Sequence, residues 1–190
     1  VFVALSPRIK QAVLHVGGGS FGLIMTRSQS FIALEIILNS MFGSDRTQKV
    51  ISVAGELLDL VDPITWAPRI FDEPLTGSPL RRILMHEGLG DVAVPNIGTE
   101  MHARALGLPQ LDNSPKKVWG LGEVSEGPSA LVQIDFGHES DPAAMWRGPE
   151  FSTRSHDDAR KVPAIREQID RFLRADGVVE NTCGGPCLAE

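Results

Sequence analysis

Apolar positions recur at two different spacings along this chain, and each change of spacing marks an element. Gln11-Ala-Val-Leu-His-Val16 is a strand-length apolar run ended by Gly17, Gly18 and Gly19. Ala130-Leu-Val-Gln-Ile-Asp-Phe136 reads the same way, and Arg82 to Gly88 predicts a buried strand running into the turn Leu89-Gly90-Asp91. Elsewhere the period lengthens. Phe31, Leu34, Ile37, Leu38 and Met41 fall at helical spacing, as do Val50, Val53, Ala54, Leu57, Leu58 and Val61, predicting two helices broken at Gly43-Ser44-Asp45. A further helix is expected over Asn96 to Gly107. The last is a surface helix with Ile165, Ile169, Phe172 and Leu173 on one face.

The remaining stretches are weaker. Val1 to Ile9 reads as a short helical remnant stopped by Ser6-Pro7. Asp62 to Pro79, with Pro63, Pro68, Pro74, Gly77 and Pro79, reads as an extended connection rather than an element. Leu108 to Pro128 is loop-rich with a short strand at Lys117 to Gly120, and Gly137 to Arg154 forms a long polar loop. Neither an internal repeat nor a linker composition divides the chain. The order of strands and helices predicts one α/β domain over residues 1–190, with a mostly parallel sheet and helices on both faces.

Composition narrows the function classes. The 190 residues are 42% hydrophobic and 22% charged, which excludes a disordered or fibrous chain. A formal charge of −6 with scattered Lys and Arg gives no basic stripe, so no nucleic-acid partner is expected. Glu35 interrupts the apolar run from Phe31 to Leu38, which falls short of the roughly 20 residues of a membrane helix. No span is expected, and Val1 to Pro7 lacks the basic start of a signal peptide. The two cysteines, Cys183 and Cys187, flank Gly-Gly-Pro, a turn able to bring the sulfurs together in a disulfide suited to an oxidising compartment. Two free thiols on a tail is the other reading. One Cys pair without nearby His cannot fill a zinc site, so no metal is expected, nor is any cofactor indicated.

The chemistry concentrates at strand ends. Asp91 follows a strand on a glycine turn, where open α/β sheets place their sites. A histidine should follow the last strand, and His138 and His156 both qualify; position just ahead of the C-terminal helix favours His156. Each has a structural alternative: Asp91 as a turn or cap aspartate, His156 as a surface residue beside Asp157 and Asp158. His15 and His86 lie inside apolar strands and read as hydrogen-bonded core histidines, whereas His102 is expected to be solvated. Asp135 and Glu87 are lesser candidates for an acid.

Several stretches together carry a family resemblance: Ala4-Leu-Ser-Pro7, Val13-Leu-His-Val-Gly-Gly18, Thr26-Arg-Ser28, Gly88-Leu-Gly-Asp-Val-Ala-Val-Pro-Asn96, Thr99 to Gly107, His156 ahead of Gln168-Ile-Asp-Arg-Phe-Leu173, and the closing Cys-Gly-Gly-Pro-Cys. On these the chain resembles the C-terminal half of bacterial α/β hydrolases of secreted or envelope lipase and esterase type. The resemblance implies a Ser-His-Asp hydrolase in which Asp91 orients His156. It also implies that the nucleophile serine stands upstream of Val1, so that the partner is the N-terminal half of the same hydrolase and the substrate a small ester or acyl compound. Residues about 21–62 would then be a helical, lid-like insertion, with Phe21, Leu23, Met25 and Phe31 as substrate-wall candidates or as ordinary core. A literal Gly-x-Ser-x-Gly match at Gly18 to Gly22 makes Ser20 an alternative nucleophile. No strand is expected between it and Ile83, and three consecutive glycines would loosen a turn that has to be rigid. A non-catalytic binding module that docks a partner on an open sheet edge is the other functional class.

Overall fold

A computed structural model describes residues 1–138 and 153–189. In chain order the elements are α1 (Phe2–Leu5), β1 (Gln11–His15), α2 (Phe21–Arg27), α3 (Ile32–Phe42), α4 (Ser44–Leu58), α5 (Pro63–Trp66) and β2 (Arg82–Gly88). They continue with α6 (Asn96–Ala105), β3 (Gln110–Leu111), β4 (Glu123–Val124), β5 (Glu126–Gly127), β6 (Ala130–Asp135), α7 (Ser155–Asp158), α8 (Pro163–Phe172), β7 (Val179–Glu180) and β8 (Cys187–Leu188). The main sheet runs β1-β2-β6-β3-β4, with β8 added to β6, and every pairing in it is parallel. β5 and β7 form a small antiparallel pair. The expected α/β architecture with a mostly parallel sheet is therefore present.

β2 and β6 carry the core because each is covered on both faces, the usual condition of parallel strands. Alternation along β2 sends Leu84 to one side and Ile83 and Met85 to the other. Leu84 joins Val132, Ile134 and the α8 residues Ile165 and Phe172; Ile83 and Met85 join Leu131, Ala103 and Leu106 beside α6. Each of these strand side chains is almost fully buried, and burial of one such side chain contributes about 1.5–3 kcal/mol. At the head of β2 the buried Arg81 guanidinium donates to the carbonyls of Ala4, Ser6, Arg69 and Ile70 and to Ser78 Oγ, tying α1 and the segment after α5 to the sheet.

Two connections differ from expectation. Asp62 to Pro79 is not wholly extended: Pro63–Trp66 is a helical turn and Ala67–Arg69 a 3₁₀ turn. Pro63 stands in the first turn, where its missing N–H is no loss, and Asp62 caps it by accepting from Ile64 N at 2.9 Å. Lys117 to Gly120 is no strand; the short strands lie at Gln110–Leu111 and Glu123–Val124, on either side of it in sequence, and the second forms the sheet edge. The polar loop expected over Gly137 to Arg154 lies mostly outside the described residues. Cys183 and Cys187 are joined in a disulfide with Cα atoms 5.2 Å apart, and Cys187 lies in β8 against β6.

α3 and α4 form a hairpin after β1, broken at Gly43, whose φ of +77° suits glycine. α3 has no buried residue at all; Ile36, Ile37 and Met41 are all exposed. Among the described residues no single helix is long and apolar enough to cross a membrane.

Candidate functional site: a carboxylate and an imidazole at adjacent strand ends

Asp91 is three residues past the end of β2, on a turn that Gly90 makes at a φ of +75°. A Cβ at Gly90 would stand 2.9 Å from the Cβ of His138, so the position is closed to larger residues by space as well as by conformation. Asn96 clamps the turn, accepting from Gly90 N at 2.9 Å and donating to Gly88 O at 2.7 Å. Asp91 itself is almost fully buried. Its Oδ1 accepts from the backbone N–H groups of Ala93 and Val94 at 2.8 and 2.9 Å, the turn-forming role expected of a Gly-Asp turn.

The second carboxylate oxygen is left for His156. Its Nδ1 donates to Asp91 Oδ2 at 2.8 Å, across 65 residues of sequence. A carboxylate can only accept here, so Nδ1 carries a proton, and in the neutral tautomer that fits this contact the lone pair is on Nε2. Nε2 has no hydrogen-bond partner among the described residues, and the side chain is 31% exposed. Burial raises the Asp91 pKa, and the hydrogen bonds from Val94, His156 and Ala93 offset part of that rise. His156 lies in the single helical turn α7, directly ahead of α8.

Two side chains just ahead of His156 fasten its segment to the turn beneath. Thr153 Oγ1 donates to Gly90 O at 2.6 Å and Ser155 Oγ to Leu89 O at 3.0 Å. Three side-chain hydrogen bonds thus hold the histidine segment on the aspartate turn, each worth of order 1 kcal/mol. Sequence reading misses both anchors, because a hydroxyl that bonds a distant carbonyl leaves no periodic trace.

The other histidines fall into two groups. His86 is fully buried, and its Nε2 lies 2.8 Å from Gln168 Oε1 while its Nδ1 lies 2.8 Å from His15 Nδ1. Gln168 Nε2 donates to Glu180 O, which turns its amide oxygen toward His86. The assignment then propagates: His86 carries its proton on Nε2, His15 on Nδ1, and His15 Nε2 is left bare. Burial holds His86 neutral, with its pKa lowered to about 3, and His15 is lowered by burial and by the nearby Arg160 and His156. Both are hydrogen-bonded histidines, as expected, though His15 is only half-buried. His102 corrects its expectation. It is buried rather than solvated, and burial lowers its pKa to about 4. Thr99, Ala103 and Leu106 share its face at helical spacing and are also buried, a signal available in the sequence.

His138 is exposed, with its side chain against Gly90. Asp135 Oδ1 accepts from Gly137 N at 2.8 Å. Glu87 is fully buried, accepts from Gln133 Nε2 at 2.8 Å, and is pushed up to about 8 by burial and by Glu100. It is protonated at neutral pH.

Ser20 starts α2 with left-handed backbone angles of φ 64° and ψ 78°. Its N–H and that of Phe21 donate to Asp62 at 3.0 and 2.6 Å, and no hydrogen bond joins its hydroxyl to His156. Ser20 and Leu23 line a groove of about 460 Å³ beside α4; Asp91, His156, Phe21, Met25 and Phe31 do not. The last three are half-buried. Asp62 is a structural carboxylate that sequence reading did not single out. Among the described residues no three His, Cys, Asp or Glu side chains are grouped to hold a metal ion.

Compared with known proteins, the chain matches no family model, no curated protein and no solved structure.

Proposed function

We propose that this chain carries the acid and base of a Ser-His-Asp hydrolase acting on ester or related acyl substrates, and forms the C-terminal portion of an α/β-hydrolase fold. One observation carries the reading: His156 holds Asp91 through Nδ1 at 2.8 Å while Nε2 stays open and partly exposed. That arrangement fixes the tautomer a serine hydroxyl needs in order to pass its proton to an imidazole. Placement supports it. Asp91 follows β2 and His156 follows β6, and these strands are parallel neighbours.

In the proposed reaction a serine oxygen attacks the acyl carbon as its proton moves to His156 Nε2. The resulting imidazolium, stabilised by Asp91, then returns that proton to the departing alcohol. Water repeats the sequence on the acyl-enzyme and releases the acid. We place the serine in a segment preceding these 190 residues, together with the backbone N–H groups of an oxyanion hole. β1 supports this. It stands at the sheet edge, paired with β2 on one side and half-buried throughout, so its other edge is open to a further strand. The disulfide between Cys183 and Cys187 supports a secreted or envelope location.

The test uses the natural protein that contains this chain. Treatment with a fluorophosphonate probe followed by peptide mapping is expected to label one serine outside residues 1–190, and Asp91→Asn and His156→Asn are each expected to suppress labelling. Labelling at Ser20 would make the chain a self-contained hydrolase instead. No labelled serine would overturn the reading and leave a binding module docked through the β1 edge.

A further inference from the structure

α2 and α4 pack antiparallel and leave a groove of about 460 Å³ between them. Their closest approach is at Gly22 and Gly55, where a Cβ on Gly55 would stand 3.3 Å from Gly22 Cα. The Ser20 end of α2 lies beside Asp62, beyond the C-terminus of α4. Arg27, at the other end of α2, therefore faces the first turns of α4, where Gln48 and Ser52 join it in lining the groove.

The groove is electrically lopsided. At one end stands the Arg27 guanidinium, whose Nη1 donates to Thr26 Oγ1 at 3.2 Å. Its Nε is buried without an acceptor, and no carboxylate pairs with it among the described residues. Thr47 is fully buried one turn before the groove-lining Ile51, and its hydroxyl is likewise without a partner. At the far end lie Glu56, Asp59 and Asp62. From Gln48 to Asp59 is about 16 Å along the helix, at roughly 1.5 Å per residue. Asp62 is already engaged by the N–H groups of Ser20, Phe21 and Ile64. Between the ends the wall is mixed, with Leu23, Ile51, Ile64 and Met101 giving apolar surface beside Ser52 and Thr65.

Arg27 is half-buried and lines the groove with no carboxylate beside it among the described residues, so an anion entering the groove would find the guanidinium unpaired. Its planar fork matches a carboxylate. We propose that the α2–α4 groove binds a small aliphatic carboxylate, its headgroup on Arg27 and its tail against Leu23 and Ile51. The far carboxylates set the direction of binding, since they repel a headgroup placed at their end. This site is separate from the Asp91 and His156 pair, so its failure would leave the hydrolase reading untouched.

Calorimetric titration of the purified protein with octanoate, octanol and inorganic phosphate tests it, with circular dichroism confirming the fold of each variant. Octanoate is expected to bind saturably, and Arg27→Gln to weaken it by about 10- to 100-fold, the range for a charged hydrogen bond. Arg27→Lys should fall between the two, because an ammonium lacks the fork. Ser52→Phe, which fills the groove without touching the charge, should abolish binding. Octanol should bind weakly and with no dependence on Arg27. The proposal is overturned if octanoate does not saturate, if Arg27→Gln binds it as tightly as the wild type, or if phosphate binds as well as octanoate.

Discussion

β2 and α3 meet opposite fates, although α3 is the more apolar of the two. Six of the seven β2 residues are buried, whereas α3 buries none of its eleven. Apolar content therefore does not place an element in the core; coverage does. β2 is flanked in the sheet by β1 and β6 and covered by α6 and α8, while among the described residues α3 rests mainly on its hairpin partner α4 and on α2 with the turn that follows it.

The sharpest way to break that contrast is a pair of truncations followed by urea unfolding. Leu84→Ala in β2 removes a side chain with 0% exposure and is expected to destabilise by about 2–5 kcal/mol. Ile36→Ser on α3, where the residue is 63% exposed, is expected to fall within about 0.5 kcal/mol of the wild type. Equal effects would show that the hairpin is packed in solution. A smaller effect, carried by polar burial, separates the regions by pH. Glu87 in β2 holds its proton up to about 8, whereas an unfolded carboxyl releases it near 4.5. Between those values the folded state binds more protons, so stability falls as pH rises. Glu87→Gln removes the titration and should gain on the order of 2–4 kcal/mol over the wild type at pH 8, and little at pH 4.5. The smallest expected effect is on dye binding: Ile36→Ser should lower the fluorescence of a hydrophobic probe and Leu84→Ala should not, provided it stays folded.

The same contrast explains what was legible in the sequence. Strands at Gln11, Arg82 and Ala130 and the helices at Ile32, Ser44, Asn96 and Pro163 follow from periodicity, because each has a face that repeats. Periodicity does not say what covers that face, so the exposure of α3 could not be read. Pro63 misled because a proline ends a helix from inside but begins one from its first turn. Asp91 and His156 were legible as candidates from their positions after two strands, which the sheet makes neighbours. Arg81, Arg27, Asp62, Thr153 and Ser155 were not, since their partners are backbone groups or empty space brought near by the fold.

Asp91 is legible in the sequence as a carboxylate on a glycine turn, and the structure adds that both of its oxygens are used, one by the turn and one by an imidazole. The most direct test of that division is nitrogen-detected NMR of His156 at neutral pH in the wild type and in Asp91→Asn. The account predicts a proton on Nδ1 in the wild type, absent from Nδ1 and found on Nε2 in the variant because the asparagine amide donates where the carboxylate accepted. A wild-type ring protonated only at Nε2, or a tautomer unchanged by Asp91→Asn, would contradict it.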